Sequence, residues 1–199
     1  MTKRPHDYSR LPPLPSIEKG SVFVAVSRGI TGDWNDERLH GVGTNLARLT
    51  ESAIDEYERA RAAMDAGIAD SQQLLSSLLA TANSLEVCVC SLHRAHNLAN
   101  RLCELTGYAR PDLSVSAQFW HDLEQLRHSI EHIDERVSRM SQKQQPHTRA
   151  KHAMLLVKQG SLTWRHHTIA SKVLAIALSE FGRYVINAID RAAMPLIAG

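Results

Sequence analysis

Residues 119–140 read FWHDLEQLRHSIEHIDERVSRM, and the spacing of apolar side chains in this stretch decides the fold class. Phe119, Leu123, Leu126, Ile130, Ile133, Val137 and Met140 follow one another at intervals of 4-3-4-3-4-3. A helix turns ~100° per residue, so this spacing draws one apolar stripe along one face. A stripe of this kind has to be covered, and other helices with stripes of their own are the economical cover. Ser114 or Ser116 can cap the helix start, and Pro146 lies beyond its end.

The same pattern recurs on both sides. Upstream, Leu46, Leu49, Ala53, Tyr57, Ala60 and Met64 predict a helix capped by Thr44 and broken at Gly67. A long helix follows from about Asp70 to Thr106, with Leu74, Leu78, Leu85, Cys88, Leu92, Ala99 and Leu102 on one face and Gly107 and Pro111 at its end. Downstream the period changes. The apolar run Ala153–Val157, the turn-like Gln159-Gly160-Ser161 and then Leu162-Thr163-Trp164 predict a β-hairpin over roughly 153–167. A last helix from about Thr168 to Ala193 carries Leu174, Leu178, Phe181, Val185, Ala188 and Ala192. The expectation is an all-α fold: a bundle of four main helices over 44–199, with a small hairpin inserted before the last helix. Residues 1–43 form an N-terminal arm and loop. The arm holds four of the seven prolines within residues 1–20, and Ser21–Ser27 is a short strand or an extended segment.

Length and composition agree with this reading. A chain of 199 residues can bury a single core, and 43% apolar with 22% charged residues is ordinary for a globular domain. The net charge of +2 does not by itself call for a nucleic-acid partner, but its distribution is one-sided. Residues 1–126 hold 12 Lys/Arg and 16 Asp/Glu, whereas residues 127–199 hold 11 and 5. From Arg136 to Lys172 there are eight basic residues and no acidic one. Such a block attracts phosphates. Arg136, Arg139, Lys143, Lys151, Lys158 and Arg165 are the candidate nucleic-acid-binding side chains, and Trp164 among them could stack on a base or pack the hairpin onto the bundle. Three cysteines, Cys88, Cys90 and Cys103, give no disulfide framework and point to a reducing compartment. The N-terminus lacks the apolar core of a secretion signal and no apolar run reaches ~18 residues, so a cytoplasmic protein without a membrane partner is expected.

The chemistry-bearing residues concentrate on the third helix. Measured from the stripe centre, Arg127 lies about 80° away, His132 about 140° and His128 about 180°. Arg127-His128-Ser129-Ile130-Glu131-His132 resembles the signature of HEPN domains, an arginine followed four to six residues later by a histidine. The resemblance implies a bundle of about four helices with the motif on a late helix. It also implies a metal-independent endoribonuclease without a cofactor, acting as a homodimer whose two motifs face one another, and it extends to a toxin or defence component with a partner antitoxin. It casts His132 as acid/base, Arg127 as the phosphate-stabilising group and His128 as an auxiliary polar group. The chemistry suits these types: a histidine titrates near neutrality, and an arginine fork stabilises phosphate charge.

Other readings of the same residues stay open. Arg127 and Glu131 can simply pair on a solvated helix, leaving a non-catalytic helical interaction module. His128-Ser129-Ile130-Glu131-His132 also reads H-x-x-E-H, a zinc-protease pattern that would need a third ligand such as Glu180 or Asp190. Cys88, Cys90, His93 and His96 cluster on the second helix, where buried thiols and a satisfied histidine compete with a metal site.

Overall fold

The computed structural model describes residues 10–15, 24, 27, 36–132, 156–158, 160–164 and 167–192. Among them the chain forms four long helices and one small sheet, in the order α1 (Glu37–Ala69), α2 (Leu74–Thr106), α3 (Ala117–Glu131), β1 (Leu156–Lys158), β2 (Ser161–Trp164), β3 (His167–Ala170) and α4 (Ser171–Ala192). The all-α bundle with a hairpin before its last helix is the observed architecture.

α1 begins seven residues before the expected cap. Asp36 is the N-cap, and its carboxylate accepts a hydrogen bond from the Arg38 amide at 2.7 Å. Gly41 and Gly43 make this stretch look like loop, yet both lie inside the helix. A capping aspartate and the packing of Gly43 and Leu46 outweigh the ~1 kcal/mol that each glycine costs a helix. Gly67 is not a break either. It is buried in the last turn of α1, and a Cβ built there would stand 2.6 Å from the Ser77 Cβ. The missing side chain lets the two helices approach as the chain turns back through Asp70 and a short 3-10 turn, Ser71–Gln73.

α1 and α2 form a long antiparallel pair, and α3 and α4 pack onto it. The core takes most of the predicted stripes: Leu46, Ala53, Tyr57, Ala60 and Met64 from α1, and Leu85, Cys88, Leu92, Ala99 and Leu102 from α2, while Leu49, Leu74 and Leu78 are only partly buried. Phe119, Leu123 and Leu126 of α3 join it, with Leu174, Leu178, Phe181, Val185 and Ala188 of α4. Gly107, at φ +71, closes α2 in the left-handed conformation that glycine adopts without strain. By length and composition α2 could cross a membrane, a property it shares with core helices of globular bundles. Its first half leaves Leu75 and Val87 on the outside.

Two local expectations need correction. The hairpin has a third strand: β3 pairs antiparallel with β2, and α4 starts only at Ser171. Thr168 and Ile169, expected in the helix, belong to β3. Instead Leu162 and Ile169 are paired across the strands and both turn into the core, while the Thr163 and Thr168 hydroxyls lie 3.2 Å apart on the other face. At the tip, Gly160 has φ +72, and the Gly160 carbonyl accepts from both the amide and the hydroxyl of Ser171. In the N-terminal region, the described Val24 and Ser27 are helical rather than extended. Residues 10–15 carry no regular secondary structure and are docked on the bundle. Leu11 is buried, Tyr57 donates its hydroxyl to the Pro12 carbonyl at 2.8 Å, and Ser179 donates to the Pro15 carbonyl at 3.0 Å.

Candidate functional site

The site is built on α3. Ser116 caps the helix, its hydroxyl accepting from the Phe119 amide at 3.3 Å. Phe119, Leu123 and Leu126 then anchor one face in the core. This anchorage fixes the rotation of the helix and therefore the direction of its polar residues. His128 is exposed, Arg127 lies on the flank with its side chain 30% exposed, and His132 is half-buried at the C-cap. The His128 and His132 rings lie one turn apart, with centroids 4.5 Å apart and tilted by 58°. The three residues expected to act together thus share the last turn and a half of α3.

Arg127 is not alone. Its Nη2 pairs with Oε2 of Glu131, and Oε1 of the same carboxylate accepts from Nη2 of Arg94 on α2 at 2.9 Å. One carboxylate therefore bridges guanidinium groups from two helices. The hydrogen bond from Arg127, with help from Arg94, holds the Glu131 carboxyl below the usual range. Arg127 Nε is buried without a hydrogen-bond partner in this arrangement.

His93 stands one residue before Arg94 and is only 5% exposed. Its Nδ1 is likewise buried and unpartnered. Burial first, and the Arg127 charge second, depress its pKa, so the neutral imidazole is favoured. Further along α2, His96 stacks on Trp120 of α3 with ring centroids 3.9 Å apart and planes 11° from parallel. Burial pushes its pKa down to about 4. Cys88 is fully buried and Cys90 half-buried, and burial raises both thiols, Cys90 to about 11. These are unreactive thiols rather than nucleophiles.

Of the proposed nucleic-acid contacts, Lys158 lies in β1, while Arg136, Arg139, Lys143, Lys151 and Arg165 fall outside the described residues. So do the stripe positions Ile133, Val137 and Met140. The described part of the helix ends at Glu131. Glu180, once a conceivable third metal ligand, instead binds Ser114 through both the amide at 2.8 Å and the hydroxyl at 2.7 Å. No group of three or more His, Cys, Asp or Glu side chains converges among the described residues.

The residue that sequence reasoning missed is Arg94. It lies 37 positions from Glu131, and only the packing of α2 against α3 brings the two together. A second feature without a linear signal is an open cleft of about 510 Å³ between the start of α1 and the end of α2. Arg38, Val42, Leu49, Leu98, Arg101 and Leu105 line it.

No family model matches the chain, and neither does any curated protein or solved structure.

Proposed function

We propose that this chain is a HEPN-like, metal-independent endoribonuclease that acts as a homodimer, with Arg127 and His132 as its principal active residues. The observation that carries this reading is the grouping, at one core-anchored helix end, of Arg127 on the flank with His128 and His132 beside it on the outward side. A fixed helix end can hold an acid/base and a cation at a constant separation, as phosphoryl-transfer chemistry requires.

In the reaction, His132 takes the proton from a ribose 2′-hydroxyl as that oxygen attacks phosphorus. The bond from phosphorus to the 5′ oxygen breaks, and the leaving oxygen takes a proton from the His132 of a second copy. Arg127 stabilises the charge that builds on the non-bridging oxygens. His128, 4.5 Å from His132 ring to ring, orients substrate or the neighbouring imidazole. A toxin or defence role, with an antitoxin as protein partner, belongs to the same reading.

The test is incubation of the purified chain with single-stranded RNA in EDTA. Cleavage by the native protein that is lost in Arg127→Ala and His132→Ala supports the reading. Intact RNA with folded native protein refutes it. A second reading, a non-catalytic docking module, is favoured by the apolar side chains left exposed around the α1–α2 turn, among them Ile68, Leu75 and Leu79. It predicts no cleavage and a surface whose partner is lost on Leu75→Asp.

A further inference from the structure

The Arg94–Glu131–Arg127 bridge has the form of an occupied anion site. Two guanidinium groups from different helices converge on one carboxylate, the arrangement that binds a phosphate oxyanion. The bridge is open to solvent, with the Arg94 side chain 57% and the Glu131 side chain 24% exposed. Two guanidinium groups face the Glu131 carboxylate, with Glu124 a further acidic group acting on the neighbouring His93. The carboxylate also serves the cluster incompletely, because Arg127 Nε has no acceptor. Glu131 itself stands in the last turn of α3, where the helix dipole disfavours an anion and only the arginines retain it.

We propose that Arg94 and Arg127 form a two-arginine clamp for the phosphodiester backbone of single-stranded RNA, and that Glu131 is an internal carboxylate that the phosphate displaces. The inference rests on the ribonuclease reading for its choice of ligand, and it adds Arg94 to the site as a substrate-binding residue. Glu131 then sets the threshold for binding. While it holds both arginines, weak anions are excluded, and a phosphodiester enters only by exchanging with it.

The experiment measures fluorescence anisotropy of a labelled 12-nucleotide 2′-O-methyl RNA, which carries phosphodiesters but cannot be cut by 2′-hydroxyl attack. It is titrated with native protein, Glu131→Gln, and Glu131→Gln combined with Arg94→Ala, each checked for folding by circular dichroism. Removing the competing charge is expected to tighten binding about fivefold or more. It should also steepen the dependence of log affinity on log salt by about one phosphate's worth. Adding Arg94→Ala should cancel the gain. Unchanged or weaker binding by Glu131→Gln overturns the clamp, as does a gain that survives Arg94→Ala, or no binding by any variant. Because the ligand cannot be cleaved, this result is independent of nuclease activity. RNA cleavage that depends on His132, with no effect of Glu131→Gln on binding, would remove the clamp and leave the nuclease. Tighter binding with no cleavage would do the reverse.

Discussion

Gly67 and Gly41 both lie inside α1, and the same substitution at each is expected to act in opposite directions. At Gly41 a Cβ would meet nothing within 4 Å. Gly41→Ala should therefore recover the helix propensity that glycine forfeits, a gain approaching ~1 kcal/mol. At Gly67 the new Cβ would lie 2.6 Å from the Ser77 Cβ, 3.1 Å from its Oγ and 3.6 Å from the Leu74 Cα. Two tetrahedral carbons normally rest about 3.5–4.0 Å apart, so the overlap is about 1 Å. Neither Cβ can rotate away, since each is fixed to its own backbone. The helices must part at a point that Met64 and Thr81 seal. Overpacking of this kind costs about 1–3 kcal/mol, and rigid partners place it at the upper end. Set against the propensity gain, Gly67→Ala should destabilise by about 2 kcal/mol. For a domain of this size that lowers Tm by roughly 4–8 °C. Urea unfolding followed by circular dichroism at 222 nm measures both variants, and Ser77→Gly added to Gly67→Ala should restore most of the loss. If Gly67→Ala were as stable as the native chain, the close α1–α2 approach would be refuted.

Two further outcomes follow from the core and its histidines. Leu126 is fully buried and holds the face of α3 opposite the candidate site, so Leu126→Ala should cost about 2–5 kcal/mol in urea unfolding; a loss under 1 kcal/mol would show that α3 is not anchored there. His96 has a folded pKa of about 4 against 6.5 when free, so the fold favours its neutral form. Its stability contribution is complete above pH 6.5 and is lost as pH falls toward 4. The buried His93 acts in the same direction. Urea midpoints at pH 7.5 and 4.5 should therefore differ, and His96→Phe, which can still stack on Trp120, should reduce the difference. An equal difference in that variant would contradict the assignment. The Glu131 carboxyl, held low, loses its pairing only below pH 4.5 and does not enter this window.

The bundle was legible because its helices repeat one signal. Each apolar stripe is a local property of spacing, and burial of Leu85, Leu123, Leu178 and their neighbours follows from it. What stayed hidden depends on contacts between distant segments. Gly67 reads as a helix breaker until Ser77 is seen against it. Thr168 and Ile169 suit a strand or the first turn of a helix, and pairing with Thr163 and Leu162 decides between them. The candidate site divides in the same way. His128 and His132 could be placed on the outer side, and Arg127 on the flank, from helix geometry alone. Glu131 could be seen only as an i,i+4 partner of Arg127. Its second bond, to Arg94, depends on how α2 and α3 dock, and no spacing in the sequence encodes it.

The central claim, that Arg127 and His132 drive 2′-hydroxyl attack on RNA, is tested most directly by the ends of the cleaved strands. A single-stranded RNA is incubated with the native chain in EDTA beside the same strand with 2′-deoxy sugars, and the products are weighed by mass spectrometry. The account predicts 2′,3′-cyclic phosphate and 5′-hydroxyl ends from the ribose strand, none from the deoxy strand, and none from either strand with His132→Ala. Cutting of the deoxy strand, ribose products from folded His132→Ala at the native rate, or RNA left whole by folded native protein would contradict it.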